Sequence, residues 1–94
     1  MKYNTNLLPI VPYIIAERAA WNVIEKEDKY NDWTGEQISA LVSELEPQLT
    51  AKFERIYNVN PSFRKQINDK RKDMRYTTEM FMEHWVKSIL KTKN

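Results

Sequence analysis

A single histidine, a twelve-residue basic run and one carboxylate on an apolar face are the residues of this sequence whose chemistry invites a functional reading. His84 lies beside Glu83 and one helical turn after Met80. Nucleophilic catalysis would require a hydroxyl held against that imidazole. Ser88 is one turn along and Thr77 two turns back, a spacing that arises by chance in any helix. A di-iron bundle would require a Glu three residues before the histidine, and that position is Phe81. Cysteine is absent, which removes thiolate nucleophiles, cysteine zinc sites, iron–sulfur clusters and disulfides. Gly35 is the only glycine, so no glycine-rich phosphate loop exists. No catalytic, metal or cofactor residue is therefore assigned, and no small-molecule substrate is evident. The chain is expected to be non-enzymatic.

The basic run is Arg64 to Arg75, RKQINDKRKDMR, with six positive charges in twelve residues. Wound as a helix, it places Arg64, Arg71 and Arg75 within about 40° of one another beside the apolar stripe. Lys65 and Lys72 form a second row nearer solvent, and Lys70 lies on the other flank. Arginine suits forked contacts with carboxylate or phosphate and tolerates partial burial. Three readings follow. One is a solvated face, with Asp69 and Asp73 offsetting part of the charge. The second is a dock for an acidic protein surface, such as Glu17 or the Glu25–Asp28 segment of the same or another copy. The third is a phosphate backbone, whose binding would be salt-sensitive.

The elements that must position these residues read as helices. Few turn-forming residues are present, with one glycine and four prolines, which argues against an all-β fold. At 94 residues the chain is one domain, 1–94. Residues 1–6 read as a polar, flexible leader. Pro12 opens a first helix, about 12–26. Thr34 and Gln37 form a capping box for a second, about 35–57, whose stripe is Ile38, Leu41, Val42, Leu45, Leu49, Phe53 and Ile56. Pro47 falls opposite that stripe, so one bent helix is expected, with a stop at Glu46 and a restart as the alternative. Asn60 caps and Pro61 opens a third helix, expected to run unbroken over about 61–91. The sum is an all-α, three-helix domain with a Pro-bent second helix and a long C-terminal third helix.

Two further features bear on partners. Glu17 falls near the middle of the first helix's apolar face, between Ile24 and Trp21, and a carboxylate there must be paired or protonated. A buried ion pair with an arginine of the third helix is the expectation, and an ionisable group held for a partner is the alternative. Near the C-terminus the apolar face widens to Met82, Val86 and Leu90, wide enough for a second neighbour. Trp33, just before the capping box, reads as its hydrophobic staple or, if exposed, as a partner contact.

The net charge of +2 conceals an asymmetry. Residues 1–50 hold four Lys or Arg against eight Asp or Glu, and residues 51–94 hold eleven against five. The longest apolar stretch, Leu7–Ala16, is too short to span a bilayer and is interrupted by Pro9 and Pro12. No membrane partner is expected, and the expected location is cytoplasmic, or within a virion if the chain is phage-encoded. The composition, short and rich in Lys, Asn and Tyr, resembles that of accessory proteins of bacteriophages or mobile elements from low-GC hosts. The leading expectation is a helical protein–protein interaction or assembly module, self-associating or bound to a protein partner. Its surfaces would be Arg64, Lys65, Arg71, Lys72 and Arg75 with Met82, Val86 and Leu90. The alternatives are a nucleic-acid-binding protein using the basic row, and a small inhibitor of a host protein.

Overall fold

The computed structural model describes residues 3–92. The chain is all-α, with four helices: α1 Pro12–Lys26, α2 Gly35–Val59, α3 Pro61–Ile67 and α4 Met74–Thr92. Short 3₁₀ turns precede α1 (Thr5–Leu7) and follow it (Asp28–Tyr30). No strand occurs among the described residues.

The helix starts follow the expected local chemistry. Pro12 and Pro61 each sit in the first turn of their helix, where a missing N–H is not needed. Thr34 Oγ1 accepts from the Gln37 N–H at 3.2 Å, and Gln37 Oε1 accepts from the Thr34 N–H at 2.8 Å. Asn60 Oδ1 accepts from the Phe63 N–H at 3.1 Å. The second helix passes through Pro47 without interruption, and Pro47 is exposed. Water can thus satisfy the carbonyl that its ring leaves without a donor.

The expected third helix is two helices. It stops at Ile67 and restarts at Met74. The break needs neither glycine nor proline. Continuing the core stripe of Phe63 and Ile67 on to Met74 would turn residues 70 and 71 inward, and these are Lys70 and Arg71. Short side chains supply the alternative hydrogen bonds that let the backbone leave the helix. Asp69 Oδ1 accepts from the Arg71 N–H at 3.0 Å, and Asp73 Oδ1 accepts from the N–H groups of Arg75 at 2.9 Å and Tyr76 at 3.4 Å. Asp73 is thereby the cap of α4. Tyr57 pins the far side of the break: its hydroxyl donates to Asn68 Oδ1 at 3.1 Å and accepts from Asn68 Nδ2 at 3.0 Å.

α1 is the central element and packs most extensively on α2 and α4. Its inner face carries Ala16, Ala19 and Ala20, all fully buried, which lets both neighbours approach closely. Arg18 of α1 pairs with Glu79 of α4 at 3.1 Å, and one turn later Asn22 donates to Glu83 at 3.4 Å, so α1 and α4 run parallel. Phe53, Leu45, Leu49, Ile24, Met82 and Val86 fill the middle of the core. Phe53, Phe63, Phe81 and Trp85 join α2, α3 and α4, with ring centroids between 4.9 and 6.2 Å apart. Buried Thr78 Oγ1 has no hydrogen-bond partner among the described residues. The domain measures 44 × 25 × 20 Å.

Candidate interaction surface

The break at 68–73 decides the fate of the arginine row. Arg64 is on α3, Arg71 is in the connection and Arg75 is in the first turn of α4, so the three do not share one helix face. Their surroundings differ. Arg64 is half-buried and donates through Nη1 to the carbonyls of Tyr57 at 2.7 Å and Asn58 at 3.0 Å, closing the C-terminus of α2. Its guanidinium also lies 4.1 Å from the centre of the Tyr3 ring. Arg71 grips Asp69 with a fork, Nε to Oδ1 and Nη2 to Oδ2, both at 3.1 Å. The Arg71 side chain and backbone N–H hold the Asp69 carboxyl down at about 2, and the same fork raises the Arg71 pKa. Arg75, Lys65, Lys70 and Lys72 are exposed around this end of the molecule.

The other expected contact residues are internal. Met82 and Val86 are fully buried and Leu90 nearly so. The widened face of the last helix does meet several neighbours, but they are α1, α2 and α3 of the same chain. Glu17 is exposed and forms no ion pair among the described residues; the pair that joins α1 to α4 belongs to the adjacent Arg18. Tyr13 and Ile14 had widened the apparent apolar face toward Glu17, yet both are exposed. The leader is also not free. Thr5 is buried and donates to Glu54 at 3.3 Å, the Tyr3 N–H donates to Asn58, and the Tyr3 ring meets Tyr57 edge-on. Met1 and Lys2 lie outside the described residues. Trp33 is partly exposed, with its ring edge-on to Tyr30 at 4.7 Å.

What the fold leaves outward is a different set. Tyr76 and Met80, one turn apart on α4, are 63% and 55% exposed. They lie on the side of the helix opposite Thr78, Met82 and Trp85, three of its five buried residues; the other two, Val86 and Leu90, turn inward on the flank nearer Tyr76. They line a groove of about 780 Å³ that also takes in Lys72, Asp73, His84 and Lys87. A large aromatic and a thioether on the wet side of a helix are the sequence signal for this surface, and they lie outside the inward apolar stripe. His84 makes no hydrogen bond to Thr77 or Ser88 among the described residues; the Thr77 hydroxyl donates to the Asp73 carbonyl at 3.1 Å. The described residues hold no cluster of three or more His, Asp or Glu able to bind a metal ion, and no helix long and apolar enough to cross a membrane.

Comparison with protein-family models, with curated proteins and with solved structures finds no match to this chain.

Proposed function

We propose that this chain is a non-enzymatic helical assembly module that binds protein through the outward face of α4. The observation that carries the reading is the exposed Tyr76–Met80 pair in its groove. Tyrosine and methionine supply large, adaptable contact area, and neither is needed on that side for the core. The compositional resemblance to phage and mobile-element accessory proteins agrees with a role inside a larger assembly. Capture from a lysate of the source cells tests it. Wild type and a Lys65→Gln/Arg75→Gln variant should retain one protein in near-stoichiometric amount, and a Tyr76→Glu/Met80→Glu variant should lose it. Equal capture by all three overturns the reading.

Nucleic-acid binding is the second reading, favoured by the exposed Lys65, Lys70, Lys72 and Arg75 at one end. Two observations weaken it: the arginines are dispersed, and two of them are engaged within the chain. It requires duplex affinity that falls steeply with salt.

A further inference from the structure

We propose that the occupant of the α4 groove is a second copy of this chain, packed antiparallel across a two-fold axis at Met80. The inference rests on the assembly reading above and names the partner.

The argument is the self-complementarity of the face. An antiparallel, two-fold pairing brings each residue near the one equally far on the other side of the axis. Asp73 stands seven residues before Met80 and Lys87 seven residues after it. Both lie about 20° from Met80 around the helix, so they project from the same strip, about 21 Å apart along the axis. Opposing α4 helices therefore present Asp73 to Lys87 of the other copy, twice. Between these ends, Tyr76 faces the Glu83–His84 step of the opposite helix, where its hydroxyl has a carboxylate to meet. Met80 meets Met80. The strip from Asp73 to Lys87 thus pairs opposite charges at its ends, a phenol with polar groups inside them and apolar Met80 with its own copy at the centre; Lys91 lies beyond the pairing.

The groups concerned are available. Asp73 uses Oδ1 to cap its own helix, which leaves Oδ2 for the contact. Lys87 is exposed and forms no ion pair among the described residues. A parallel arrangement would instead set Asp73 against Asp73 and Lys87 against Lys87, which like-charge repulsion opposes. A single helix pair is smaller than a standard interface, so the dimer should be of micromolar strength.

Sedimentation equilibrium of the full chain over a wide concentration range tests the proposal, with circular dichroism as the folding control. Wild type should pass reversibly from monomer to dimer. Met80→Glu, an exposed helix-compatible change, should weaken the dimer at least tenfold, and Lys87→Glu should weaken it by setting two carboxylates against each other. Because the chain lacks cysteine, Met80→Cys offers a second measurement. Mild oxidation should convert it to a disulfide-linked dimer far faster than a Ser39→Cys control on α2. A wild-type monomer at every concentration overturns the dimer while leaving the lysate capture to judge the assembly reading. A dimer that survives both Met80→Glu and Lys87→Glu places the interface elsewhere and also overturns it.

Discussion

At Asp69 the hydrogen bonds of one carboxylate become a measurable property. The fork from Arg71 lowers its pKa from 3.8 to about 2. A lowered pKa in the folded state means that the stabilisation is fully present above the unfolded value and is lost as pH falls through the folded one. The stabilisation should begin to decline below about pH 4, while the contact itself persists to about pH 3 and is lost as pH falls through about 2. NMR titration of the Asp69 side-chain carboxyl should give a midpoint near 2, as the fork implies. Arg71→Gln should return the midpoint toward that of an ordinary aspartate. An unchanged midpoint would mean that Arg71 is not the cause.

Pro47 poses the main question among the helices. A proline inside a helix costs about 3 kcal/mol relative to alanine, and its rigidity returns up to about 1 kcal/mol by restricting the unfolded chain. Pro47→Ala on the exposed side of α2 should therefore raise stability by about 2 kcal/mol in chemical denaturation, with an unchanged m-value. The sequence supported this continuity because Leu41, Leu45, Leu49 and Phe53 keep phase across the proline. It also supported every cap at which a short polar side chain or a proline stands alone before an apolar run: Pro12, Thr34, Asn60 and Pro61. It misled where two patterns competed. Between Ile67 and Met74 no residue breaks a helix by itself, and the decisive fact is a missing one, an apolar side chain at 70 or 71. Helical phase also does not say which neighbours cover a wide face: it reads Met82, Val86 and Leu90 as a partner surface, whereas other parts of the same chain bury them.

For the whole molecule, the basic end is where the N-terminal segment, the end of α2 and the start of α3 are fastened together. Arg64 is the fastener, holding two carbonyls of α2 and lying over Tyr3. Arg64→Ala should cost about 2 kcal/mol, as expected for half-buried hydrogen bonds from a charged group. The loss should begin locally. Hydrogen exchange at residues 5–8 should accelerate before that of α1, and equal acceleration throughout would argue against a local fastener. The acidic connection between α1 and α2 lies at the opposite end, so the two charged regions do not neutralise each other by direct pairing. The described ion pairs, Arg18–Glu79 and Arg71–Asp69, join neither to the other.

The parallel course of α1 and α4 has a practical corollary for covalent engineering. Tyr3 sits against the end of α2, whereas Leu90 shares a depression with Glu27 and Tyr30 at the far pole. A circular permutant joining the two must bridge much of the 44 Å long dimension. At about 3.4 Å per extended residue that asks for a tether of roughly a dozen residues or more. Tandem fusions through short tethers, by contrast, should string the units out end to end like beads.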